Sequence, residues 1–176
     1  MELIDVVNEQ DEVIEVKDKD AVHRDGDLHR TAIIYVVSSK GEILIHKRAA
    51  AKKLNPGLWD ITVGGHVHSG ETYEDAAKRE LEEELGIRNN ELIEIDKWMG
   101  HPNAASPLER LMIKIFLTKF DGSAEELTFD KSEISDVKFV GIPKLEKICE
   151  NQIERKKFVY MGDFKERLKT IKKFIS

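Results

Sequence analysis

Residues 64–87 read GGHVHSGETYEDAAKRELEEELGI, and the reading of the whole chain turns on them. A glycine-rich lead-in is followed, over residues 72–86, by helical spacing. Ala76, Ala77, Leu81 and Leu85 line one apolar stripe. Glu71 and Thr72 stand where such a helix starts, and Gly86 where it stops. Between them, positions 79–84 hold Arg79 and the glutamates Glu80, Glu82, Glu83 and Glu84. At about 100° per residue, Glu80, Glu83 and Glu84 fall within about 100° of one another, while Glu82 points to the far side. Three carboxylates that close repel unless a hard cation sits among them, and Mg²⁺ or Mn²⁺ prefers such oxygen ligands. Glycines 64, 65 and 70 let the lead-in approach a ligand closely, and the Gly65 carbonyl could complete the metal shell.

Outward from this segment the chain reads as strands and helices of one domain spanning residues 1–176. ELIDVV, the polar turn NEQD and EVIEV predict an N-terminal strand hairpin over about 2–17. TAIIYVVSSKGEILIHKRA predicts a second hairpin turning at Ser38–Gly41, and WDITV a short strand. ELIEIDKWMG, RLMIKIFLTKF and SDVKFV predict three more strands. Pro143 then opens a helix at about 144–150, and a closing helix is expected over about 163–175. A mixed β-sheet with helices packed on it follows.

Composition excludes several roles. A formal net charge of −6 provides no basic field to hold nucleic acid. The longest apolar run, AIIYVV, is too short to cross a bilayer, and the acidic N-terminus lacks the pattern of a signal peptide. The single cysteine, Cys149, fits a reducing compartment and reads as a small apolar residue. A cytoplasmic location is expected, with a small molecule as partner and no nucleic acid or membrane.

The spacing Gly65, five residues, Glu71, seven residues, Arg79-Glu80-Leu81, one residue, Glu83-Glu84, one residue, Gly86-Ile87 resembles a complete Nudix box. The resemblance implies the α/β/α sandwich of the Nudix fold and a Mg²⁺- or Mn²⁺-dependent pyrophosphohydrolase. Its substrate would be a nucleoside diphosphate derivative or a similar small phosphorylated metabolite. Carried over, it makes Glu80, Glu83, Glu84 and Gly65 the metal site, and pairs Arg79 with Glu71 to fix the carboxylates. Glu83 or a later loop carboxylate would serve as base, with Glu133 the best of Glu125, Glu126 and Glu133.

A second resemblance covers residues 20–140. VHRDGDLHR, KRAAAKKLNPGLWD and GGHV are similar to type I isopentenyl-diphosphate isomerases, which share the Nudix fold. There a histidine-rich cluster holds a divalent metal and basic residues hold the diphosphate; His23, His29 and His66, and Arg48 and Lys52, occupy similar places. The isomerases carry a cysteine where this chain has Gly64, and a later glutamate pair of which only Glu109 is matched. The complete carboxylate set and the missing thiol favour hydrolysis. An isomerase-like enzyme and a non-catalytic nucleotide-binding sensor are the alternatives. Arg48, Lys52 and His66 are candidate substrate-binding residues. Trp59 and Trp98 could stack a base, with core packing the better reading for Trp59.

Overall fold

Strand β3 (Leu28–Val37) is the axis of the molecule, and the way its two edges are used creates the site. The computed structural model describes residues 2–100, 109–159 and 164–175. One edge of β3 is zipped in parallel to β8 (Arg110–Lys119), from Leu28 opposite Arg110 to Val37 opposite Lys119. The other edge is shared by three antiparallel neighbours in turn. β1 (Leu3–Val7) meets it at His29, β6 (Val63–His66) over Thr31–Ile34, and β4 (Glu42–Arg48) at Val37.

Beyond that first pair β4 leaves β3 and pairs instead with β5 (Trp59–Asp60) and β9 (Ile134–Gly141). β2 (Val13–Asp18) extends the sheet past β1, and β7 (Ile93–Gly100) pairs with β8. The result is one mixed sheet of nine strands among the described residues.

WDITV is not the single strand that its apolar alternation suggested. Asp60 Oδ1 accepts from the Thr62 amide at 3.0 Å and from its hydroxyl at 2.8 Å. This side chain–backbone turn breaks the strand, so β5 stays on β4 while β6 crosses to β3. The crossing carries Gly64 and Gly65 through the notch where β3 and β4 diverge.

Side chains of β3 alternate between two cores, which is why the strand reads as an almost unbroken apolar run. Ala32, Ile34 and Val36 face helix α2 (Tyr73–Leu85), together with Ala76, Ala77, Leu81, Leu85 and Phe116. Tyr35 and Val37 face helices α3 (Ile142–Glu150) and α5 (Phe164–Ile175), through Leu145, Phe164, Leu168 and Ile171. Each fully buried Leu or Ile here contributes about 1.5–3 kcal/mol. Helices therefore cover both faces of the sheet, and the fold is an α/β/α sandwich on a mixed sheet.

α2 starts in a capping box between Thr72 and Asp75 and ends on Gly86 at φ 70°, a left-handed conformation that glycine adopts without strain. Two short helices were not anticipated. α1 (Lys19–Asp25) buries only Val22 and so shows no apolar stripe, although Asp18 caps its start and Gly26 its end. α4 (Gln152–Arg155) is a single turn. Asp163, where the closing helix was expected to begin, lies outside the described residues. Among the described residues, no helix is long and apolar enough to cross a membrane.

Candidate active site

Arg79 organises the segment between β6 and α2. Its Nε and Nη2 donate to the two oxygens of Glu71, at 2.9 and 3.1 Å, and Nη2 also donates to the His66 carbonyl at 2.9 Å. Nη1 donates to Glu80 Oε1 at 2.7 Å and to Glu83 Oε2 at 3.2 Å. Glu71 in turn accepts from the His68 amide at 2.9 Å, closing the loop that precedes the helix. The Arg79 hydrogen bond is the main reason the Glu71 carboxyl sits below its ordinary pKa. The fork geometry of guanidinium suits it to holding several carboxylates at once.

Glu80, Glu83 and Glu84 differ in depth, a distinction that the helical wheel does not make. The Glu83 side chain is 59% exposed and that of Glu80 13%. Glu84 is half-buried, and burial first, then the charges of Glu80 and Asp60, push its carboxyl up to about 8. Glu84 forms no hydrogen bond or ion pair among the described residues. Arg48 and Lys52 supply positive charge toward it.

Glu80 itself is raised by burial, with Arg79 opposing. Its carboxylate rests on Gly65, where a Cβ would fall 2.6 Å from Glu80 Cδ and closer still to Oε1. Only glycine leaves that space. Glu82 turns away to Arg88, 2.9 Å distant. Two half-buried carboxylates, one of them resting against Gly65, form a donor set that suits a hard divalent cation.

The loop after β4 closes over the same edge. Arg48 Nε donates to the Leu54 carbonyl at 3.0 Å, bracing the loop, and Lys52 is ion-paired with Glu133. Glu133 is half-exposed at the start of β9, whereas Glu125 and Glu126 lie exposed in a 3₁₀ turn, Ala124–Glu126. The Glu126 carboxylate caps the Ser123 amide there.

Two residues of this edge escaped the sequence reading. Asp60 contributes charge toward Glu84, and buried His46 stands opposite Asp60 across β4 and β5. Burial lowers the His46 pKa against the pull of Asp60. Asp60 sits in a stretch that reads as plain strand, so its only signal was the Asp-x-Thr spacing of the turn. Trp59 carries the Lys138 ammonium 3.7 Å from its ring centroid and packs partly against the second core. Trp98 packs there too, with its indole N–H buried and unpartnered. Cys149 is partly buried against the same core, and burial raises its thiol pKa.

A second cluster lies across the sheet. Gly65 pairs with Ala32 and therefore faces α2, whereas His66 pairs with Thr31 and points to the other face, the side of His29. His23 from α1, His29 from β3, His66 from β6 and Glu109 before β8 bring ligand atoms within 4.8 Å of one another. The three rings sit with centroids 4.9–5.1 Å apart.

His29 Nδ1 lies 2.9 Å from the Asp27 carbonyl, which makes Nδ1 the protonated nitrogen. Its buried Nε2 then presents a lone pair with no partner. Burial, then repulsion from His29, Lys19 and His23, lowers His66 to about 3, so its ring is neutral at pH 7. Imidazoles with a carboxylate form a donor set for a borderline transition metal rather than Mg²⁺. At Gly64 the backbone leaves no room: a Cβ would collide with the Ala32 carbonyl oxygen and lie 3.0 Å from Ile33 Cα.

Comparison with known proteins agrees with this fold. The family model of the NUDIX domain matches residues 27–160. An uncharacterised Nudix hydrolase of Pseudomonas aeruginosa is 35% identical over 139 residues, covering 79% of this chain and 78% of its own. An isopentenyl-diphosphate Δ-isomerase of Photorhabdus laumondii is 34% identical over 153 residues, covering 85% and 83%. The crystal structure of a Deinococcus radiodurans protein superposes with a TM-score of 0.71 at 26% identity, covering 96% of this chain and 98% of that one. The chain belongs to the Nudix family, as one of its hydrolases acting on phosphorus-containing acid anhydrides.

Proposed function

We propose that the chain is a divalent-cation-dependent pyrophosphohydrolase that cleaves a diphosphate bond in a nucleoside diphosphate derivative or a similar small phosphorylated metabolite. The observation that carries this reading is the half-buried pair Glu80 and Glu84, Glu80 seated in the Gly65 cradle and the Glu84 carboxyl raised by burial and by the charge of Glu80. Glu80, Glu84 and the Gly65 carbonyl, with Glu83 at the outer edge, would hold Mg²⁺ or Mn²⁺. When bound, such an ion neutralises the diphosphate and makes water nucleophilic at neutral pH.

The chain's own residues do the rest. Arg79 fixes Glu71 and Glu80 so that the carboxylates need not reorganise during the reaction. Glu83, exposed and only lightly held by Arg79, is placed to take the proton from water. Arg48 and Lys52 approach from the facing loop to hold phosphate oxygens, and Glu133 either tethers Lys52 or shares the role of base.

The histidine cluster favours a second reading, an isomerase-like enzyme, and in either case we assign it a transition metal such as Zn²⁺ or Mn²⁺. The collision of any side chain at Gly64 with Ala32 opposes an isomerase thiol there, and hydrolysis remains the reading of choice.

The test is phosphate and diphosphate release from nucleoside di- and triphosphates, dinucleotides and sugar nucleotides. Protein stripped with EDTA is assayed with and without added Mg²⁺ or Mn²⁺, alongside an isopentenyl diphosphate isomerisation assay. Metal-restored hydrolysis without isomerisation is expected. Hydrolysis that persists in EDTA, or steady isomerisation, would overturn the assignment.

A further inference from the structure

We propose that β2 is a self-association edge, on which a second copy of this chain pairs antiparallel across a two-fold axis at Val16. Among the described residues β2 pairs only with β1, so its outer backbone N–H and C=O groups face solvent. Of the eight exposed large hydrophobic side chains among those residues, Leu3, Val13, Ile14 and Val16 all lie on this one hairpin, with Ile14 64% and Val16 49% exposed. Such clustering on an open edge marks an interaction surface, where scattered apolar side chains would not.

The devices that usually blunt an edge are weak here. No proline occurs in residues 2–18. The register shift opposite Val6 and Val7 is confined to the Ile14 end, leaving Glu15–Asp18 regular.

The charges choose the occupant and the register. In an antiparallel pair centred on Val16, Glu15 opposes the partner's Lys17, and Lys17 the partner's Glu15. Centring on Glu15 or on Lys17 would place like charges face to face, which destabilises a strand pair. Glu15 and Lys17 share a face, where Lys17 already meets Asp27 at 2.7 Å, Glu15 at 3.4 Å and Asp25 at 3.7 Å, so pairing would extend this acidic cluster's hold on Lys17 across the two copies. On the other face Val16 meets the partner's Val16, with Leu3 of each copy on the neighbouring strand. The sheet would continue through the dimer, at a distance from the carboxylate edge formed by β6 and α2.

A single strand edge buries less than a standard interface, so association is expected to be weak and concentration-dependent. Sedimentation of the full chain is read from micromolar to hundreds of micromolar, together with oxidative cross-linking of Val16→Cys and Val13→Cys. Facing Cα atoms at the axis lie about 4.5–5.5 Å apart, within disulfide range, whereas the two copies of residue 13 lie about 20 Å apart. Val16→Cys should cross-link to a dimer, Val13→Cys should not, and Val16→Lys should shift the wild-type association to higher concentration. The wild-type chain is the control for Cys149, and circular dichroism checks that each surface variant folds. A monomer throughout, with no cross-link in the Val16→Cys variant, would overturn the proposal. So would equal cross-linking at both positions, or a dimer indifferent to Val16→Lys.

Discussion

The carboxylate of Glu80 lies against the α-carbon of Gly65, occupying the space that any side chain at 65 would take. The contact joins strand β6 to helix α2 at the point where the cation is proposed to bind. Gly65→Ala is therefore expected to displace Glu80 and disrupt its bond to Arg79. A loss of at least ~10²-fold in kcat is expected. The stability cost should be small beside the rate loss, because the group that must move is the end of a flexible side chain rather than backbone. Steady-state kinetics with Mn²⁺ titration would detect it, and a variant with wild-type rate and Mn²⁺ affinity would remove Gly65 from the site.

The four glutamates of α2 should separate sharply. Glu82, paired with Arg88 on the outer face, should change stability by under ~0.5 kcal/mol as Glu82→Gln and leave the rate intact. Glu80→Gln, Glu83→Gln and Glu84→Gln should each lose about 10²-fold or more. Glu84→Gln should also raise the melting temperature of metal-free protein, because it removes a half-buried acidic group repelled by Glu80 and Asp60. Four equally active variants would reduce the segment to a solvated helix face.

Arg48→Ala should raise KM more than it lowers kcat, as expected for a group that binds phosphate oxygens equally in ground and transition states. Because Arg48 also braces the Leu54 carbonyl, Arg48→Lys should recover only part of the affinity. Unchanged kinetics in both variants would leave Arg48 a loop brace alone.

Gly64→Cys should not create an isomerase. The new Cβ meets the Ala32 carbonyl, so the variant should lose about 1–3 kcal/mol of stability. It should show no interconversion of isopentenyl and dimethylallyl diphosphate. Isomer turnover by this variant, followed by product chromatography, would show that the strand pair can open to admit a thiol.

Asp11 gives a pH dependence independent of the site. Burial alone would raise its pKa, but hydrogen bonds and charges from Lys97 and Arg30 outweigh burial and lower it. A carboxylate depressed in the folded state contributes stability above its unfolded pKa, near 3.8, which is lost as pH falls through the folded value. Asp11→Asn should therefore destabilise at pH 7, and the difference from wild type should shrink as pH falls below that window. Urea unfolding at both ends measures it. Asp11 sits at φ 64°, a conformation that asparagine also tolerates, so the substitution tests charge rather than backbone strain.

Local physics made much of this protein legible from its sequence. The box, its helix from Tyr73 to Leu85, the outward turn of Glu82 and the buried stripe of Ala76, Ala77, Leu81 and Leu85 all follow from a repeat of 3.6 residues and its caps. The hairpins follow from alternation and turn residues in the same way. Other features depend on partners distant in the chain, and only the tertiary structure decided them. One side-chain turn at Asp60 split an apolar run into two strands on different neighbours. Helical geometry put Glu80, Glu83 and Glu84 on one face, but packing against β6 and the loop after β4 ranked them by depth and left Glu84 without a partner. The isomerase resemblance named His23, His29, His66 and Glu109, but their ligand atoms meet only because β1, β6 and β8 all dock on β3. Periodicity reports how a segment meets its own neighbours along the chain, whereas burial, charge compensation and metal geometry are set by contacts closed across the sheet.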